Sequence, residues 1–146
     1  MKTIIKLISN QTFLTIISGT SVYAISQLFL EFIVNPRKKF KQLKQKIFYT
    51  INMNKNYYLT PYDLLKEDRN VRPKSEYITA SLELKKIGSE FASYVGTIPK
   101  YRFNKRKKLL EVQQSLIGLS NGLYIYKNYN PVNDNIKCEK IILDNL

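Results

Sequence analysis

"SQLFLEFIVNPRKKFKQLKQK", Ser26 to Lys46, joins an apolar run holding Gln27 and Glu31 to a proline and then to six basic residues among ten. Upstream, the apolar character reaches back to Thr12, so Thr12 to Val34 has the length, about twenty residues at 1.5 Å each, that crosses a hydrocarbon core of roughly 30 Å. Lys2 and Lys6 lie on one side. Arg37, Lys38, Lys39, Lys41, Lys44 and Lys46 crowd the other, and the positive-inside bias puts that side in the cytoplasm. The expectation is a single-pass membrane protein with its N-terminus outside and its C-terminus cytoplasmic. Against a retained span, "MKTIIKLISNQTFLTIISGTSVYA" starts with a lysine and ends in Val22-x-Ala24, which resembles a signal-peptide cleavage site. The apolar run passes that point and continues to Val34, which favours retention.

A helix advances 100° per residue, so Thr20, Ala24, Gln27 and Glu31 fall within about 60° of one another, with Tyr23 at the border. Polar groups facing lipid are expensive, and a single span has no second helix in its own chain to meet them. Self-association answers this through interhelical hydrogen bonds and close approach at Gly19, Ser21, Ala24 and Ser26. Thr20, Gln27 and Glu31 would then line a narrow conduit in a homo-oligomer. A monomeric anchor with a few tolerated polar residues is the plainer alternative.

Beyond the span the reading is all-α. Phe40, Leu43, Ile47, Ile51, Asn54 and Tyr58 recur at spacings of three and four, giving a helix from about Pro36 to Tyr58. The proline marks either a break or a first-turn position. "LTPYDLLKEDRNVRPK" has two prolines and no period and reads as a loop with a short turn around Tyr62 to Lys66; its Glu67-Asp68 pair reads as solvated charge. Ser75 is a candidate cap for a second helix whose core face is Ala80, Leu84, Ile87, Phe91, Tyr94 and Ile98, ended by Pro99. A third, from about Lys105, carries Leu109, Val112, Leu116, Leu119, Leu123 and Tyr126. The organisation expected is residues 1–35 as stub and transmembrane helix, 36–128 as a cytosolic bundle of about three helices, and 129–146 as a polar tail with one terminal helix, Asp134 to Leu143. Leu82, Leu110 and Ile117 are left over for subunit contacts.

With 24 basic residues against 11 acidic ones, the net charge of +13 implies an anionic partner: nucleic acid, nucleotide or lipid headgroup. Histidine is absent and Cys138 is the sole cysteine, so an intrachain disulfide is excluded and the commonest general base is missing. No nucleophile has a base partner by motif and no glycine-rich phosphate loop exists; Gly118 and Gly122 suit close helix packing. The sequence points away from an enzyme, a metal site or a cofactor. Its best binding signal is "KYRFNKRKK", where Lys100, Arg102, Lys105, Arg106, Lys107 and Lys108 alternate with Tyr101 and Phe103. Cations beside stacking faces suit single-stranded nucleic acid, and equally an anionic membrane surface. The direction of the second helix decides how near the bilayer that segment lies. Arg37, Lys38, Lys39 and Lys41 fit topology and lipid contact.

Three segments taken in order, "ISGTSVYAISQLFLEFIVNPRKKFKQLKQKI", "ASLELKKIGSEFASYVGTIPKYRF" and "SLIGLSNGLY", resemble short single-span bacterial proteins, the membrane effectors of the Hailong anti-phage system. The resemblance implies a tetrameric, channel-like inner-membrane effector with a helical cytosolic trunk. It would be held closed by DNA oligomers made by a partner nucleotidyltransferase and would open on infection to depolarise the cell. On that likeness Thr20, Gln27 and Glu31 would serve the pore, and basic residues of the trunk would meet the oligonucleotide. A non-conducting membrane adaptor for nucleic acid or an acidic protein, and a small membrane-disrupting toxin, are the other classes left open.

Overall fold

The computed structural model describes residues 11–65, 72–126 and 129–146; the readings placed on Lys2, Lys6 and Glu67-Asp68 lie outside them. The chain divides into two compact units, Met1–Lys41 and Gln42–Leu146.

In the first unit, α1 (Gln11–Phe29) is followed by a π-helical turn (Leu30–Val34) and by the start of α2 (Asn35–Leu59). This helix is long and apolar enough to cross a membrane, and none of its residues from Gln11 to Phe29 is buried. Its hydroxyls turn inward on the backbone: Thr15 donates to Gln11 O, Ser18 to Thr15 O, Thr20 to Ile16 O at 2.8 Å and Ser26 to Val22 O at 2.7 Å. Pro36 does not break the helix; it occupies the first turn of α2, which follows the π turn without interruption. Its ring would clash with the carbonyl four residues back, and the preceding turn widens to make room, Asn35 N–H reaching Leu30 O in an i→i−5 bond.

The second unit takes α2 from Gln42 onward together with α3 (Lys74–Gly96), α4 (Phe103–Asn121) and α5 (Val132–Asn145). Cross-helix pairs give the directions. Lys46 Nζ meets Glu90 Oε2 at 2.8 Å, Asn54 Nδ2 donates to Glu83 Oε2 at 3.0 Å and Tyr57 OH to Glu76 Oε2 at 3.0 Å, so α3 descends as α2 climbs. Ser81 Oγ donates to Ser120 O across α3 and α4, and Gly88 lies against Leu116 and Ile117. Gly118 faces Cys138 and Gly122 faces Asn135 across α4 and α5. Lys55 pairs with Glu139 at 2.8 Å, and Lys44 Nζ donates to Leu146 O at 2.5 Å, so α5 returns antiparallel along α2. The result is an up-down-up-down ring of four helices, one more than the three expected. Two residue pairs add a minimal parallel bridge, β1 (Tyr62–Asp63) with β2 (Tyr124–Ile125), because both follow helices that run the same way.

The apolar stripes become the core. Leu43, Ile47, Ile51 and Tyr58 from α2 meet Ala80, Leu84, Ile87, Phe91 and Tyr94 from α3, and Leu109, Val112, Leu116 and Leu119 from α4. Leu123 is buried just past α4, while Tyr126, beyond the helix, is exposed. The terminal helix expected at Asp134 to Leu143 within a polar tail is present as α5, and it joins the bundle, sealing the ring with Ile142 and Asn135. Two boundaries differ from the reading. α3 begins at Lys74 with Pro73 in the cap position and no side-chain cap, so Ser75 lies inside the first turn. It ends at Gly96, before Pro99, whose carbonyl accepts the Arg102 N–H at 3.1 Å.

A buried amide fixes the end of the ring away from Leu43. Asn135 Nδ2 donates to Tyr58 O at 2.8 Å and to Gly122 O at 2.7 Å, tying α5 to the last turns of α2 and α4. Both carbonyls are otherwise helix-end orphans. Gly122 is required for the approach, since a Cβ there would overlap Asn135 Oδ1.

Candidate anion-binding face

Lys100, Tyr101 and Arg102 occupy the connection from α3 to α4, and Phe103 opens α4. Lys105, Arg106, Lys107 and Lys108 follow within its first two turns. No acidic residue stands in the first turn and no side chain caps it. Cations at the positive end of a helix oppose its macrodipole, so the arrangement is electrostatically unfavourable until an anion joins it. Among the described residues Lys100, Lys107 and Lys108 have no carboxylate partner, and Arg106 Nε, shielded from solvent, has no hydrogen bond.

Around these charges the aromatic rings face outward. Tyr101 is 80 % exposed and Phe103 is 70 % exposed. The Arg102 guanidinium stands 5.9 Å from the Tyr101 ring centroid, at the outer limit of a cation–π contact. A cavity of about 300 Å³ is lined by Lys100, Phe103, Arg106, Lys107 and Leu110. Inside this rim, burial raises the pKa of Tyr94, and the Arg102 charge opposes the rise. The structure therefore brings all eight residues of the basic-aromatic segment onto one end of the second unit.

The direction of α3 identifies that end. Glu90 is level with Lys46, and α3 continues past it for six residues to Gly96, so the α3–α4 connection lies at the Gln42–Lys46 end, where the chain enters the unit. Glu90 lies at this end beside Lys46, and Asp144 in the last turn of α5, but five acidic groups lie toward the other end: Glu76 and Glu83 through Tyr57 and Asn54, Glu139 through Lys55, Asp63 just past α2, and Asp134 in the first turn of α5. There a second cavity of about 300 Å³, between α2 and α3, is lined by Met53, Asn54, Tyr57, Glu76, Thr79 and Glu83 among others. Its polar groups satisfy one another. Tyr57 OH binds Glu76, which raises the tyrosine's pKa, and Arg72 stacks on the Tyr57 ring at 4.9 Å. Sequence reading missed this clasp; its one signal was an asparagine, Asn54, on an otherwise apolar stripe.

The remaining site residues belong to the first unit. Thr20 and Gln27 are exposed on α1, and Glu31 sits in the π turn. The Thr20 hydroxyl is satisfied within its own helix, which removes one reason for it to need a partner. Gln27 forms no side-chain hydrogen bond among the described residues. Arg37, Lys38, Lys39 and Lys41 are exposed on the first turns of α2. Among the described residues no group of three or more metal-ligating side chains comes together, and burial pushes the Cys138 thiol up, away from the thiolate. Compared with known proteins, the chain matches no family model, no curated protein and no solved structure.

Proposed function

We propose that the chain is a homo-oligomeric, single-span bacterial inner-membrane protein of the channel type, with α1 as its pore element and the four-helix unit as its cytosolic control domain. The observation that carries this reading is α1 itself: membrane length, no buried residue, and an amide at Gln27 without a partner among the described residues. In lipid such a helix reaches a lower free energy by meeting copies of itself across the stripe of Ala24, Gln27 and Glu31. The tetrameric state suggested by the resemblance to Hailong effectors fits that requirement. An anionic ligand of the DNA-oligomer class would bias the pore through its differential affinity for open and closed arrangements, relieving repulsion among chains of charge +13.

Ion flux through liposomes holding the purified protein tests the proposal. Flux that short DNA oligomers suppress and that Gln27→Leu alters is expected. DNA binding with no flux under any condition would replace the channel with a second reading, a non-conducting adaptor that tethers an acidic partner at the membrane, for which the exposed basic face gives independent support.

A further inference from the structure

We propose that Lys100, Tyr101, Phe103, Arg106 and Lys107, with Leu110 at the floor between them, form a docking face for the anionic lipid headgroups of the bilayer. The proposal rests on reading α1 as a membrane span. Exposed rings between unpaired cations are ill suited to bulk water, and two environments satisfy both at once: a single-stranded nucleic acid and the headgroup layer of an anionic membrane. Position separates them. The face lies at the end of the second unit where the chain enters it. From Val34 to Gln42 even a fully extended chain spans at most about 29 Å, so this end stays close to the bilayer surface whatever the arrangement of the units. The acidic clasp of Glu76 and Glu83 lies toward the opposite end of a helix 23 residues long, about 34 Å by its rise. The basic-aromatic cluster thus sits at the tethered end of the unit. Phe103 and Tyr101 suit the interfacial layer, where an apolar ring is buried among headgroups, and Lys100, Arg106 and Lys107 supply the phosphate contacts. A nucleic acid bound at this face would have to compete with a membrane that the tether holds permanently at hand.

The chain contains no tryptophan, so Phe103→Trp gives a single reporter in the intact protein, and Phe103 is exposed enough to accept it. Reconstituted in phosphatidylcholine vesicles containing phosphatidylglycerol, this variant is expected to show blue-shifted emission and quenching by lipids brominated near the headgroup. Several-fold weaker quenching is expected in pure phosphatidylcholine, and no change on adding inorganic phosphate at matched ionic strength. Adding Lys100→Gln, Arg106→Gln and Lys107→Gln together should remove the dependence on phosphatidylglycerol. Solvent-like emission in both vesicle types, with Tyr101→Trp behaving the same way, would overturn the docking face. Shielding by a short DNA oligomer in place of lipid would overturn it in favour of a nucleic acid. A separate Phe29→Trp variant reports on the span: quenching there with none at position 103 sinks the docking face alone, whereas none at position 29 sinks the span on which it depends.

Discussion

Gly122 and Asn135 show how one amide can decide whether a helix belongs to a core. The asparagine occupies a core position on α5 where an apolar side chain would ordinarily sit, and it holds because both of its Nδ2 hydrogens find helix-end carbonyls. Gly122→Ala drives a methyl into Asn135 Oδ1, and losing both hydrogen bonds and the packing should cost about 2–4 kcal/mol of stability by urea unfolding. Asn135→Ala alone should also destabilise. Because the clash disappears with the asparagine, the double variant should be less damaged than the two losses summed, and strict additivity would mean that the two residues do not touch in solution. Tyr58 makes the opposite point. Among the described residues its buried hydroxyl makes no hydrogen bond within ordinary distance, and burial first, then nearby Glu139, raises its pKa. A neutral form favoured by folding stabilises below the unfolded value near 10; above it the unfolded chain ionises first, and stability falls as pH rises. Tyr58→Phe should therefore change stability at pH 7 by less than about 1 kcal/mol and flatten the loss above pH 10. A large loss at neutral pH would mean that the hydroxyl has a partner.

At the scale of elements, periodicity located the helices better than their ends. Stripes such as Ala80, Leu84, Ile87 and Phe91 are legible because one face of each helix is apolar and the ring buries that face. Ends were less legible: Ser75 has the chemistry of a cap, yet Pro73, with φ fixed near the value a helix start requires, takes the cap position two residues earlier. α5 was read within the tail because Asn135 and Cys138 take core positions, and polar residues there mask the period. The direction of α3 could not be read at all. An apolar stripe has no sign along the helix axis, so the location of Lys100 to Lys108 waited on pairs such as Lys46 with Glu90. Pro36 carries the element-scale prediction. The π turn exists to accommodate a ring, so Pro36→Ala should restore regular i→i−4 bonding from Leu30 onward and give residue 36 an amide protected from hydrogen exchange in bicelles. Restored bonding also removes the extra residue per turn, which rotates Glu31 relative to the basic residues Arg37 to Lys41. Persistence of the wide turn in that variant, seen as a through-hydrogen-bond coupling that still runs from the Asn35 amide to the Leu30 carbonyl and not to that of Glu31, would show that something other than the proline imposes it.

For the whole molecule, the proposed self-association raises the question of which unit would carry it. The four-helix unit buries its stripes within one chain: α2 pairs with α3 and α5, α4 with α3 and α5, and Ile47, Phe91, Leu116 and Ile142 are sealed inside. Besides Tyr101, Phe103 and Leu110 at its basic end, its exposed apolar side chains include the pairs Tyr49 with Met53 on α2 and Ile78 with Leu82 on α3. α1 has the reverse character, apolar throughout with nothing buried. On the proposed reading self-association would belong to α1, so a fragment spanning residues 42–146 should be soluble, cooperatively folded and monomeric in sedimentation equilibrium at physiological salt, and the full chain in detergent should sediment as an oligomer. Gln27→Leu in the full chain should weaken that oligomer by about 0.6–1.7 kcal/mol per interhelical hydrogen bond lost, a shift of roughly 3- to 18-fold in each association constant. A fragment 42–146 that is itself oligomeric would move assembly to the four-helix unit and leave α1 as an anchor. A monomeric fragment together with an oligomer that ignores Gln27→Leu would keep assembly on α1 but assign it to close packing at Gly19, Ala24 and Ser26.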